Sequence, residues 1–170
     1  MSPLDVFQPG KFSWGAASKA RLQRVHPVMV EVASAALHHS PLDFTIAAGW
    51  RSQEKQDELY EQGLSQVRWP RSRHNYTAKE LDVEQDWAET VGQALSMAID
   101  VAPFIDGRAR FGNDRKDEIL WLNGLVVGIG MPIALSHGFY LRTGADWNMD
   151  GKQREERFRD LFHVELRRLR

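Results

Sequence analysis

The 170-residue chain contains no cysteine, which excludes disulfides, thiol nucleophiles and Cys-ligated zinc. Any metal must therefore rest on His, Asp and Glu. Neither sign of charge dominates: 22 Lys plus Arg against 23 Asp plus Glu leave a formal net charge of −1. There is thus no overall basic field for nucleic acid, and no nucleic-acid partner is expected. No run of about 18 apolar residues stands out, so neither a bilayer-spanning segment nor a stable membrane association is expected. The opening MSPLDVFQPGK lacks an apolar signal core, which predicts a product that starts in the cytoplasm. Without internal repeats, low-complexity tracts or Pro/Ser-rich linkers, residues 1–170 are expected to form one domain.

What is present suits a packed core: 42% of residues are hydrophobic, with eight Phe and six Trp. After Ser13, a candidate N-cap, apolar residues Leu22, Val25, Met29, Val32 and Ala36 recur at helical spacing. Pro27 makes this either a kinked helix or a turn followed by a helix starting near Pro27. A short strand is predicted over 44–48, and a helix capped by Ser52 and stopped by Gly63. Residues 64–89 read as loop with a short helix around Asp86, and 97–101 as a buried strand ended by Pro103. Two helices are expected over 114–127 and 132–136, then strands over 139–141 and 162–166 with a loop at 143–157 between them. Short strands interleaved irregularly with helices indicate an α+β fold, a small antiparallel sheet flanked by helices.

Of six histidines, His38, His39 and His137 lie at helix ends, where an imidazole meets the C-terminal dipole. His26 precedes Pro27 and reads as a helix-start or surface residue. His74 lies in the loop Ser72-Arg73-His74. His163 and Glu165 would share one face of the last strand, opposite Phe162 and Val164, with Asp160 just before it. That pattern suits either a cleft wall or an ordinary edge strand. Asp100, in Met97-Ala98-Ile99-Asp100-Val101-Ala102-Pro103, is flanked by apolar residues; if buried, it must be paired or bound to a cation. Two histidines, one buried Asp and no cysteine form a sufficient set for a three-ligand zinc site with an open fourth position. The basic end Arg167, Arg168, Leu169, Arg170 is either a solvated tail or a weak attraction for an anionic polymer.

These same segments resemble the zinc peptidases of the D-Ala-D-Ala carboxypeptidase/L-alanyl-D-glutamate endopeptidase family, in particular its phage endolysin branch. Ala48-Gly49-Trp50-Arg51-Ser52, followed by Gln56, Leu59-Tyr60 and Gln62-Gly63, is similar to the family's Gly-Tyr-Arg-Ser segment and Gln-x-x-Leu-Tyr helix. Ser72-Arg73-His74 resembles its Ser-x-His, and Ala98 to Pro103 its Ala-x-Asp-φ-x-Pro. Gly144-Ala145-Asp146-Trp147, then Phe158, Asp160, His163 and Glu165, resemble its Gly-Asp-Trp loop and closing Asp-x-x-His-x-Glu. The resemblance implies a Hedgehog/D,D-peptidase-like fold and Zn²⁺ held by His74, Asp100 and His163. It further implies Asp160 as general base, with Arg51 stabilising the oxyanion or clamping a substrate carboxylate. Glu165, Ser72 and Gln56 would support the ligands or touch substrate.

The family usually places its Asp seven residues after the first His, whereas Asp100 lies 26 beyond His74. An insertion of roughly 75–96 accounts for this, since a surface loop grows at modest entropic cost. Asp82, eight residues after His74, is a rival ligand, but Asp100 carries the full flanking pattern and is preferred. The resemblance implies hydrolysis of the L-alanyl-D-glutamate bond of peptidoglycan stems by a monomeric endolysin. Such an enzyme would accumulate in the host cytoplasm and reach the wall after membrane permeabilisation. The rivals are a D,D-carboxypeptidase or dipeptidase on the same scaffold, and a non-catalytic wall-binding domain.

Overall fold

The computed structural model describes residues 10–75, 95–152 and 158–169. The candidate insertion, the helix expected around Asp86 and the rival ligand Asp82 all lie outside the described residues, apart from 75, 95 and 96. Among the described residues four helices, α1 (Ala16–Leu22), α2 (Pro27–His39), α3 (Gln53–Glu61) and α4 (Lys116–Ser136), accompany five strands. The strands are β1 (Phe44–Ala48), β2 (Ala98–Ile105), β3 (Arg108–Ala109), β4 (Phe139–Gly144) and β5 (Asp160–Arg168). They form one antiparallel sheet in the order β1-β2-β5-β4, with β3 pairing β2 at its far end. The α+β expectation holds.

The apolar pattern behind Ser13 resolves into two helices rather than one. Gly15, not Ser13, caps α1, and the chain turns before Pro27, which occupies the first turn of α2, where its missing N–H costs nothing. The buried His26 caps α2 through its ring, with Nδ1 accepting from Val28 N at 3.3 Å. Ser52 caps α3, its Oγ accepting from Lys55 N.

Three expectations need correction. Strand β2 does not end at Pro103 but runs to Ile105. Pro103 points its carbonyl at Arg110 N, away from β1, so its absent donor removes no rung from the β1 pairing. The two helices expected over 114–136 are one, with Pro132 inside it. Pro132 and Gly128, four residues earlier, are both exposed, so water can take the carbonyl that proline leaves free. Finally, α4 is long and apolar enough by composition to cross a membrane, contrary to the reading that no segment was. About a third of that window is buried, where Ile119, Leu122, Val126 and Ala134 enter the core.

The core lies between the helices and one face of the sheet. Met29, Val32, Ala33 and Ala36 of α2 and Leu122 and Val126 of α4 pack against Ile46, Ile99, Val101, Leu141, Val164 and Leu166. Strand alternation turns Asp100, His163 and Glu165 to the opposite face. Their immediate neighbours Ile99, Val101, Val164 and Leu166 anchor the same strands in the core, which fixes the strand register.

Candidate metal centre

Three side chains converge on that opposite face. His74 Nε2 lies 3.2 Å from Asp100 Oδ1 and 3.2 Å from His163 Nδ1, and His163 Nδ1 lies 3.3 Å from Asp100 Oδ1. All three residues are buried. Four-coordinate tetrahedral zinc, with bonds of about 2.0 Å, separates its ligand atoms by roughly 3.3 Å. The triangle therefore has the dimensions of one face of such a coordination shell, and the residues present fit the metal.

Each ligand is held from behind. His74 Nδ1–H donates to the Gly49 carbonyl at 2.6 Å, and His163 Nε2–H to Glu165 Oε2 at 3.0 Å. Once the remaining imidazole proton is displaced by a metal, these bonds leave His74 Nε2 and His163 Nδ1 as lone pairs aimed at one point, the arrangement that metal-binding imidazoles use. Asp100 Oδ2 accepts from Arg51. Glu165 is in turn gripped by Arg142, whose Nη2 and Nε lie 2.7 and 2.9 Å from Oε1.

Backbone contacts explain why distant motifs meet. Arg51 N donates to the His74 carbonyl at 3.0 Å, and Asn75 Nδ2 to the Arg51 carbonyl at 2.9 Å. The Gly49-Trp50-Arg51 turn and the Arg73–Asn75 3₁₀ turn are thereby tied together. Gly49 must be glycine, because a Cβ there would stand 2.6 Å from the Arg21 carbonyl. Asp100 and His163 are cross-strand partners on β2 and β5.

The electrostatics favour a cation in the middle. Burial lowers the pKa of His74, against the pull of Asp100. Burial also works against a proton on His163, but hydrogen bonds to Asp100 and Glu165 outweigh it and raise His163 to about 9. Despite burial, the neighbouring imidazoles and Arg51 hold Asp100 well below the ordinary carboxylate range. Asp160, half-buried at the start of β5, moves the other way: burial and the Asp100 charge raise it. One positive charge is thus wanted between two imidazoles that cannot both carry it.

The centre opens into a cleft of about 690 Å³, bordered by Arg51, Ser72, Asp160, Glu165, Arg142 and Trp147 among others. Gly144 brings Asp160 to its wall: the two are register partners at a bulge between β4 and β5, and a Cβ on Gly144 would stand 2.3 Å from the Asp160 carbonyl. Trp147, tied through Nε1 to the Phe158 carbonyl at 2.9 Å, stacks at a tilt 5.2 Å from His163. Ser72 sits under the ligand turn, its Oγ accepting from His74 N at 3.3 Å. Gln56 does not border the cleft: fully buried, it donates to Ser65 Oγ and the Val67 carbonyl, holding the loop that does. Sequence reasoning missed Arg142 and the Gly49 carbonyl. Arg142 is registered opposite Glu165, so a cross-strand charge pair is the signal that would have found it once the register was known.

The model of the family described as phage L-alanyl-D-glutamate peptidase matches residues 10–167. The L-alanyl-D-glutamate peptidase of Escherichia phage T5 is 31% identical over 158 residues, covering 91% of this chain and 98% of that protein. Among solved structures, the Serratia marcescens L-Ala D-Glu endopeptidase ChiX superposes with a TM-score of 0.59 at 23% identity, covering 92% of this chain and 91% of that one.

Proposed function

Because the chain belongs to the phage L-alanyl-D-glutamate peptidase family, we propose that it is a zinc-dependent endolysin cutting peptidoglycan stem peptides between L-Ala and D-Glu. It would be made in the infected cell's cytoplasm and act on the wall once the membrane is breached. The observation that carries the metal assignment is the triangle of 3.2, 3.2 and 3.3 Å drawn by His74 Nε2, His163 Nδ1 and Asp100 Oδ1.

His74, Asp100 and His163 would hold Zn²⁺, which supplies a Lewis acid of net charge near +1, able to polarise a carbonyl and acidify water. Asp160 is the base: it takes the proton of the attacking water and passes it to the departing amine of D-Glu. Its raised pKa, from burial and the Asp100 charge, suits a carboxyl that must give the proton up again. Arg51 holds the outer oxygen of Asp100 while bordering the cleft, so it keeps the ligand oriented and adds positive charge near the developing oxyanion. Glu165 fixes the His163 tautomer. Trp147 covers the His163 ring and narrows the cleft.

Mass spectrometry of sacculi digested with the zinc-loaded protein tests the reading. New D-Glu amino termini are expected. Release of free D-Ala would instead mark a D,D-carboxypeptidase, and binding without cleavage a wall-binding domain.

A further inference from the structure

The cleft is bordered by five arginines, Arg51, Arg71, Arg73, Arg142 and Arg167, against the acids Asp160 and Glu165. Three of the guanidiniums have visible occupations. Arg51 is tied to Asp100. Arg142 spans Glu165 and the Trp147 carbonyl. Arg167 stands 3.6 Å from Glu165 Oε1, an oxygen already taken by Arg142. Arg71 differs, because its exposed side chain has no hydrogen bond or ion pair among the described residues. Its backbone, by contrast, is well held. Arg71 N donates to the Arg68 carbonyl at 2.9 Å, Trp69 N to Asp57 Oδ1 at 3.2 Å, and the next residue is the buried Ser72 under His74. Among the described residues Arg71 is thus an uncommitted cation, rooted three residues from a candidate ligand and bordering the same cleft.

The substrate supplies a matching group. In a peptide cut at L-Ala–D-Glu, the glutamate nitrogen belongs to the scissile bond. Of its two carboxyls, one continues the chain and the other is free, or capped as an amide. Where that carboxyl is free, an anion lies a few bonds from the reacting carbonyl, and a planar guanidinium binds a carboxylate through two parallel hydrogen bonds.

We propose that Arg71 is the specificity-determining residue of the cleft, binding the free glutamate carboxylate and selecting stems in which it is not amidated. This rests on the endopeptidase reading above. A carboxamide cannot receive two N–H donors from the fork without presenting its own N–H₂ to one of them.

The test uses two synthetic L-alanyl-D-glutamyl peptides extended through the γ-carboxyl, one with the α-carboxylate free and one with an α-carboxamide. Zinc-loaded wild type should show a kcat/KM about 10- to 100-fold higher on the free carboxylate, as expected for a charge-assisted hydrogen-bonded pair. Arg71→Gln should lose that preference through the carboxylate peptide alone. Its kcat/KM on the carboxamide and its zinc content should stay at wild-type level. Equal rates for the two peptides with wild type, a preference for the amide, or a preference that survives in Arg71→Gln would each overturn the proposal. So would an equal loss on both peptides, which marks a structural role. Failure of the endopeptidase reading looks different: wild type would cut neither peptide between L-Ala and D-Glu, and the assignment of Arg71 would fall with it.

Discussion

Asp100 and His163 face each other as register partners across β2 and β5, with Oδ1 and Nδ1 3.3 Å apart although 63 residues separate them in the chain. Two of the three candidate ligands are therefore set by sheet pairing, and the third, His74, is docked onto them by the Gly49 carbonyl. Replacing any one by Ala leaves two ligands. His74→Ala, Asp100→Ala and His163→Ala should each lose stoichiometric zinc, while Asp82→Ala keeps it. Metal analysis of the four purified proteins checks this, and zinc retained by Asp100→Ala but lost from Asp82→Ala would move the site.

Glu165 meets the candidate centre through His163, whose Nε2–H donates to its Oε2 at 3.0 Å. Its carboxylate is held low, at about 2: the His163 hydrogen bond and the His163 and Arg142 charges outweigh burial, which acts the other way. Glu165→Gln keeps the shape but weakens the acceptor that fixes the His163 tautomer, and it leaves Arg142 without its anion. Zinc affinity should fall about 10- to 100-fold, the usual effect of removing such a partner. Competition with a chromogenic chelator measures it, and an unchanged affinity would reduce Glu165 to a cleft-wall residue.

Asp160 should separate metal binding from turnover. Asp160→Asn is expected to keep full zinc and a native unfolding transition while kcat drops at least about 100-fold, as loss of a general base requires. Gly144→Ala offers an independent approach, since the added Cβ collides with the Asp160 backbone and lies 2.9 Å from the Trp147 ring. It should lower turnover with zinc retained. Lysis of sacculi by Asp160→Asn at the wild-type rate would remove Asp160 from the mechanism.

Much of this centre was legible because its chemistry is written in local pattern. Asp100 stood out among apolar neighbours since the first six residues of β2 are all buried, and His163 and Glu165 shared a face by strand alternation. What stayed hidden depends on pairing at a distance. Arg142 meets Glu165 only through the β4–β5 register, and a backbone carbonyl such as that of Gly49 leaves no trace in side-chain spacing. The persistence of α4 past Pro132 and of β2 past Pro103 has one cause. In each the missing donor lies off the pairing that holds the element: Pro132 frees only the exposed Gly128 carbonyl, which water can take, and Pro103 faces Arg110 rather than β1.

His26 gives a prediction outside the cleft. Its ring caps α2 as an acceptor, with Nδ1 on Val28 N and the Phe139 ring 5.1 Å away edge-on. Burial, followed by the charges of Arg168 and His137, lowers its pKa from 6.5 to about 4. The unfolded chain takes up this proton below about pH 6.5, whereas the folded chain resists it until about pH 4. The stability that the neutral imidazole contributes is therefore complete above pH 6.5 and is lost as pH falls toward 4. The gap between 6.5 and 4 corresponds to about 3 kcal/mol. His26→Asn retains a side-chain oxygen able to cap the helix but has no proton to gain. Urea unfolding of both proteins between pH 7 and 4 should show the wild type losing up to about 3 kcal/mol more than the variant, with the divergence confined to that window. Parallel stability curves would mean that His26 takes up its proton without disturbing the start of α2.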